Sequence, residues 1–417
     1  MRVPDTLLQT NFMRNVSKNR SKLAEIQFQL TTQSKVNKPS DNPLSNSRIM
    51  RLQNQLSSIN TYKTNITYGQ SMIDDSILSM ESIQDNVQNA IMELTKLNSG
   101  TVSADELETF AQSIDGTLEI LVDLANTSFN GQYNFGGTET NTKPFTYDKA
   151  NNRVVSNSNS ISGDRVVNIS STIAQKFNIS GKNLFQSVLT QNGNLDSSAG
   201  IGTAQTTSST IYDAEGKEYT LNQTFTETAA NTYELNYEIV DSDSNVISND
   251  TVSDIKFNAE SGEFESINGE AFGEIKIQNS ANKIDVVLDI KSLKEEAKPA
   301  ILNDSLNQKA DIFNTLIAIK EKLSAGEKPT AEQYKMVTDF NQHVLNSLSE
   351  AGGIANKLTA THDVLISREI EVATLLSAEK DVDVAKALMD LESTQYALDV
   401  GYRISSMILP KSLLDYL

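Results

Sequence analysis

The chain has 417 residues, 54 Asp and Glu against 35 Lys and Arg, a formal net charge of −19, and neither Cys nor Trp. The missing cysteine excludes disulfides, thiol nucleophiles and Cys-ligated metal sites, and an acidic balance argues against a nucleic-acid partner. With only 38% hydrophobic residues, two or three domains built of long helices and thin sheets suit the chain better than one deep core.

The first twenty residues carry Arg2, Arg14, Lys18 and Arg20 without an uninterrupted apolar run, so no Sec-type leader is expected. No stretch is apolar for long enough to span a bilayer, so membrane insertion is not expected either. A first helix is predicted from Pro4 to Ser34, with Leu8, Phe12, Val16, Leu23, Ile26 and Leu30 along one side. The segment Lys38-Pro39-Ser40-Asp41-Asn42-Pro43 should break it, because two nearby prolines disfavour continuous helix and Ser, Asp or Asn can cap the next one. Then Leu52, Ile59, Ile66, Ile73, Met80, Val87 and Leu94 recur every seven residues. That spacing predicts one apolar seam on a long helix from about Leu44 to Leu97. The positions four residues further on (Leu56, Lys63, Gln70, Ile77, Gln84, Ile91, Asn98) are half polar, so the second half of the seam reads as broken. A third helix fits Ala104 to Phe129, opened by a capping box of Ser103 and Glu106.

The middle is rich in Asn, Ser, Thr and Gly and alternates apolar with polar residues, as in Tyr233, Leu235, Tyr237 and Ile239. Together with the Asp213–Gly216 turn chemistry, this predicts a small antiparallel sandwich or barrel. Beyond it, helix is expected from Pro299 through Leu302, Leu306, Ile312 and Leu316, again over Ala331–Leu348, and from Ile354 to Met407. Val384, Leu388, Leu391, Leu398 and Tyr402 line the last stretch.

Chemical motifs are sparse. The chain shows no Walker loop, nucleophile elbow or metal-spaced histidines, so neither cofactor nor metal nor catalytic residue is expected. His343 and His362 read as structural or surface residues, Gly200-Ile201-Gly202 as a loop, and Asp381, Asp383, Asp390 and Glu392 as a solvated helix face. Residues 1–63 hold ten basic and three acidic side chains, a local net charge of +7. That face suits either plain solvation or complementarity with acidic neighbours in an assembly. With so few other helices to cover them, the end segments are expected to be poorly ordered in a free monomer and ordered by neighbours.

Several passages carry a family resemblance. The turn Lys35-Val36-Asn37-Lys38-Pro39-Ser40-Asp41-Asn42-Pro43 precedes the heptad helix. Asn130-Gly131-Gln132-Tyr133-Asn134-Phe135-Gly136-Gly137 follows a helix and leads to Pro144-Phe145. Asp381-Val382-Asp383-Val384-Ala385-Lys386-Ala387 opens the last helix, and Leu413-Leu414-Asp415-Tyr416-Leu417 closes the chain. In this order they resemble the flagellin superfamily, most closely its hook–filament junction members, over about the first 145 and last 120 residues. Thr210–Phe225 and Ile255–Phe264 look like a β-domain of the flagellar hook protein.

The resemblance implies an α+β fold: a long coiled-coil-like helical rod formed by the N- and C-terminal segments, with an inserted antiparallel β-rich outer domain. It divides the chain into a terminal assembly helix (1–43), the first part of the rod (44–140), a variable outer domain (141–297, with a hook-like module at about 203–290), the second part of the rod (298–376) and a final assembly helix (377–417). It implies a structural, non-enzymatic role. It also implies self-association into a ring at the hook–filament junction, contact with hook protein and the other hook-associated junction protein, secretion through the flagellar export channel, and an export chaperone on the C-terminal helix. The residues expected to carry assembly and helix packing are Leu8, Phe12, Val16, Leu23, Leu52, Ile59, Ile66, Ile73, Met80, Val87, Leu94, Leu388, Leu391, Leu398, Leu413 and Leu414, with Pro39, Asp41, Asn42 and Pro43 forming the inter-domain turn. Three other readings stay open. They are filament flagellin, against which the turn and the Leu-Leu-Asp-Tyr-Leu ending argue; a secreted coiled-coil adhesin; and an enzyme, whose sign would be a polar pocket with perturbed titratable groups.

Overall fold

The computed structural model describes residues 5–98, 100, 102–156 and 161–408, and the side chains of all of these except 5, 6, 8, 9, 98 and 405–408. Leu413 and Leu414 therefore lie outside the described residues, as does the Leu8 side chain. The chain divides into two units, one made of Met1–Thr64 with Thr361–Leu417 and the other of Asn65–Ala360.

Helices α1 (Asp5–Thr32), α2 (Pro43–Asn98) and α3 (Ala104–Ala125) come first. Three small antiparallel hairpins follow: β1 (Ser128–Phe129) with β2 (Gln132–Tyr133), β3 (Phe145–Asp148) with β4 (Arg153–Ser156), and β5 (Val166–Asn168) with β6 (Ala174–Lys176). A short helix, α4 (Gly181–Phe185), leads into β7 (Val188–Asp196). The chain then forms β8 (Ala204–Tyr212), β9 (Glu218–Ala229), β10 (Thr232–Val240), β11 (Val246–Phe257) and β12 (Phe264–Ile267). Strands β13 (Glu274–Asn279), β14 (Ile284–Glu296) and β15 (Ile301–Leu306) complete the β region, and α5 (Ile312–Ser324), α6 (Ala331–Lys380) and α7 (Val384–Ile408) end the described chain.

The larger strands form two sheets, ordered β12-β11-β10-β9-β8 and β13-β14-β7-β15. Their inner faces share one apolar core, in which Phe225, Tyr233 and Leu235 from the first sheet meet Ile277, Val286 and Leu288 from the second. The period-two alternation causes this directly, since every second side chain of β9 and β10 is buried and successive strand residues point to opposite faces. The result is a sandwich, antiparallel throughout except where β7 runs parallel to β14.

Three expectations about the C-terminal part need correction. Residues Ile301–Leu306 are not helical; they form β15, an edge strand antiparallel to β7. Leu302 and Leu306 suit either a helix or a strand, and the open edge of β7 decided between them. The break expected between Leu348 and Ile354 is absent, because α6 runs unbroken through Gly352 and Gly353. The real break is at Asp381–Asp383. There Lys35 N donates to Lys380 O (2.7 Å), Val382 N donates to Gln33 O (3.1 Å), and Asp383 Oδ1 caps α7 by accepting from Lys386 N (3.1 Å).

Candidate assembly surfaces

In the first unit, α1 and α7 pack against each other. The antiparallel bridge between Ser34 and Asp381 fixes one end of the pair. Farther along, Val16 Cγ2 lies 3.8 Å from where a Cβ on Gly401 would stand. On α1 the inward positions are Phe12, Val16, Asn19, Leu23, Ile26 and Leu30, all half-buried or buried. On α7 they are Ala387, Leu391, Thr394, Leu398 and Gly401. Both sets step by four and three residues, the spacing of a helix-pair seam. The end helices thus find a partner in each other.

The expected assembly residues fall into two classes. Leu398 is 5% exposed and faces the pair; Phe12, Val16, Leu23 and Leu391 are half-buried; Leu388 is 48% exposed and points away. Also exposed are Met389, Tyr396, Tyr402 and Ile404 on α7 and Leu7, Met13 and Phe28 on α1.

The turn residues Pro39, Asp41, Asn42 and Pro43 are exposed. Asp41 Oδ2 accepts from Asn37 N (3.1 Å) and Lys38 N (2.8 Å), and Asn42 Oδ1 accepts from Ser45 N (3.1 Å). Asn42 therefore caps α2, with Pro43 at the first helical position, where its missing N–H costs nothing. Ion pairs Arg48–Glu379 and Lys63–Glu369 tie this end of α2 to α6.

The heptad seam behaves differently. Leu52 is half-buried, while Ile59, Ile66, Ile73, Met80, Val87 and Leu94 are buried. The seam's second row also needs correction. It lies three residues on from the first, at Gly69, Ser76, Ile83, Ala90 and Leu97, all buried. Leu56, Lys63, Gln70, Ile77, Gln84 and Ile91, four residues on, are only flanking and half-buried. Small residues in this row admit close neighbours: a Cβ on Gly69 would stand 3.4 Å from Phe177 and Val167. Hydrogen bonds Gln70–Thr359 (2.7 Å), Thr95–Tyr334 (3.2 Å) and Ser113–Glu93 (2.8 Å) place α6 and α3 alongside. The chain covers this seam with its own helices.

Where the chain leaves α3, the Gly-x-Tyr-x-Phe-x-Gly passage builds a hub. Asn130 and Gly131, both at positive φ, close the two-residue turn between β1 and β2, the conformation that favours Asn-Gly. Buried Asn134 Nδ2 donates to Asp75 Oδ2 (2.7 Å). Phe135, Phe145 and Phe313 surround Phe185 at centroid distances of 5.5, 5.2 and 5.3 Å, with Phe340 at 6.4 Å. Sequence reading missed Phe185, Phe313 and Phe340 as partners, because they are far apart in the chain and none sits in a shared motif.

Two buried charge clusters brace the same unit. Lys182 Nζ, in the first turn of α4, lies 2.9 Å from Glu274 Oε1 and 2.6 Å from Asp289 Oδ2. Asp311 caps α5, accepting from Asn314 N at 2.8 Å. Burial, reinforced by the nearby Asp285 charge, pushes its carboxyl up to about 7. Burial raises Asp285 too. A polar cavity of about 300 Å³ beside them is lined by Arg153, Lys276, Lys283, Asp285, Asn314 and Glu321 among others. Its charged groups are spoken for: Lys276 donates to Ser156 O (2.7 Å), Lys283 pairs with Glu215 and Glu321, and Asp285 accepts from Gln278 (3.0 Å). Ser156 Oγ, which accepts from Lys276 Nζ at 3.4 Å, lies in the same lining. Among the described residues no group of His, Cys, Asp and Glu is arranged to hold a metal, and no helix is long and apolar enough to cross a membrane. His343 Nε2 sits 2.7 Å from Asn183 O.

Comparison with known proteins gives this arrangement its context. Residues 5–140 match the bacterial flagellin N-terminal helical region, and residues 183–399 match the flagellar basal body protein FlaE D2 domain. Flagellar hook-associated protein 3 of Escherichia coli (strain K12) is 28% identical over 152 residues, 36% of this chain and 47% of that protein. Its namesake from Salmonella typhimurium is 26% identical over 148 residues, 35% of this chain and 46% of that protein. The chain thus spans about half the length of the curated relatives it matches. The flagellar junction protein FlgL from Legionella pneumophila overlays with a TM-score of 0.45 at 14% identity, covering 80% of this chain and 99% of that one. The FlaE D2 match extends over more than half of the sequence, and the chain belongs to the flagellar FlaE D2 domain family.

Proposed function

We propose that this protein is a structural subunit of the bacterial flagellum that forms the junction ring between hook and filament and adapts one to the other. The observation that carries this reading is the contrast between its two apolar surfaces. The α2 seam is covered by the chain's own helices, whereas Leu388, Met389, Tyr396 and Tyr402 on α7 and Met13 and Phe28 on α1 are left bare. An apolar face beside an already paired face calls for a further partner, and a ring supplies one by repeating a single heterologous contact. On this reading residues 1–43 and 377–417 make the subunit contacts, 44–140 and 298–376 form the helical rod, and 141–297 form the outer domain. The β15 strand extends the outer sandwich slightly past that last boundary. The partners are sister copies, hook protein and the other hook-associated junction protein. The chain leaves the cell through the flagellar export channel, with a chaperone shielding the C-terminal helix beforehand.

Deleting the gene tests the reading. Cells should then carry hooks without attached filaments and release filament subunits into the medium. Attached filaments of normal length in the deletion strain would overturn it.

A further inference from the structure

We infer that Lys182, Glu274 and Asp289 form a self-modifying site, at which Lys182 Nζ and Asp289 Cγ condense to an amide while Glu274 relays the proton. This rests on how the three groups are held. Lys182, Glu274 and Asp289 side chains are 9%, 5% and 14% exposed, and no other described ion pair has both members this buried. Glu274 and Asp289 stand directly opposite each other on β13 and β14. Like charges so placed repel, and Lys182 from α4 is held within hydrogen-bonding distance of both, at 2.9 and 2.6 Å.

The chemistry balances without a co-reactant. A proton passes from the Lys182 ammonium through Glu274 to Asp289, leaving an amine beside a carboxylic acid. The Nζ lone pair attacks Cγ. A second Nζ proton moves to Glu274, which delivers it to the departing hydroxyl. One C–N bond forms, one C–O bond breaks, one water leaves, and Glu274 ends as it began. In bulk water condensation of an amine with an acid is unfavourable. Fixed geometry changes this, because well-oriented intramolecular pairs reach effective molarities of roughly 10⁵–10⁸ M. The reaction also removes a buried charge pair, whose desolvation is costly. The two carboxylates hold the Lys182 ammonium above the usual lysine range against the opposing effect of burial. The bond would then form in the folded chain over time. The closed loop runs from α4 to β14 and contains the whole five-stranded sheet, so that sheet would be covalently fastened at its base.

Intact-mass spectrometry of the full chain tests the assignment, after prolonged incubation in the folded state at a temperature below unfolding. The wild type should be lighter than its sequence by one water, and proteolysis should release a branched peptide joining the Lys182 and Asp289 segments. Lys182→Arg and Glu274→Gln should keep their full mass, with folding checked by circular dichroism. Wild-type chain held in denaturant throughout should also keep its full mass, which gives a control independent of any variant. Full mass in the incubated wild type overturns the assignment. So does a water loss that maps to a linear peptide, or one that persists in Lys182→Arg.

Discussion

Leu388 and Leu398 lie on the same helix, and their replacement by Ala should fail in different ways. Leu398 is 5% exposed and faces α1. Truncation removes about three buried carbons at ~0.8 kcal/mol each and leaves a cavity. The cost to the α1–α7 pair should be about 2–4 kcal/mol, within the range of Leu→Ala core changes. Leu388 is 48% exposed, so its loss should cost the free chain no more than about 0.5–1 kcal/mol. In an assembly that buries the remaining half, Leu388→Ala forfeits roughly 1 kcal/mol at each copy of the contact, about a fivefold loss of affinity per contact. Hydrogen exchange on α1 and α7 of the dilute chain reads the first effect, and the concentration dependence of sedimentation reads the second. Leu398→Ala should speed exchange along both helices. Leu388→Ala should leave exchange nearly unchanged and raise the concentration needed for self-association. Equal acceleration of exchange by both variants, or unchanged self-association of Leu388→Ala, would refute the division of α7 into an inner and an outer face.

Asp311 gives a pH signature. Its folded value of about 7 lies above the ordinary 3.8, so between those values the native state holds a proton that the unfolded chain releases, and stability falls as pH rises through that window. Asp311→Asn keeps a capping side chain and removes the charge; denaturant titrations should show the variant gaining on wild type from about pH 4 to 7 and level above. Gly137 has φ +57°, and a Cβ there would stand 1.8 Å from Ser162 O; Gly137→Ala should therefore lower the melting temperature of the second unit, at a cost of more than about 1 kcal/mol. Ile73 is fully buried in the seam and Ile77 half-buried on its flank. Ile73→Ala should cost about 2–5 kcal/mol and Ile77→Ala clearly less, as measured by thermal unfolding.

Much of the architecture was legible because its signals are local. The seven-residue recurrence from Leu52 to Leu94, the Ser103–Glu106 box and the alternation in β10 each fit within one element, and each element formed. The failures concern partners. Pairing of β15 with β7 joins residues more than a hundred positions apart, and the parallel match of β14 to β7 joins residues 99 or 100 apart. Leu302 and Leu306 alone could not announce either. The seam's second row was misread because a helix places both the third and fourth residues near one face. Only the approach of Phe177 and Val167 to Gly69, and the burial of Ser76 and Ala90, showed which row lies inward. Of the Phe185 hub only Phe135 and Phe145 lay in a passage the sequence singled out; Phe185, Phe313 and Phe340 come from separate stretches of chain.

The same distinction bears on why the end helices were expected to be ordered by neighbouring copies. Helix α3 buries its main apolar row, Leu107, Ala111, Ile114, Leu118 and Leu121, against elements of its own unit such as α5. Helix α7 is apolar on more than one side. Its inward row from Ala387 to Gly401 takes α1, yet Met389 and Tyr396, seven residues apart, form a second row that is 65% and 73% exposed. A helix with two such rows has a use for two neighbours, and its fold supplies one of them. The unfilled row is then a property of the sequence rather than of a loosely packed pair. Closing the α1–α7 seam more tightly, for instance by Thr394→Val, would leave that second row as bare as before.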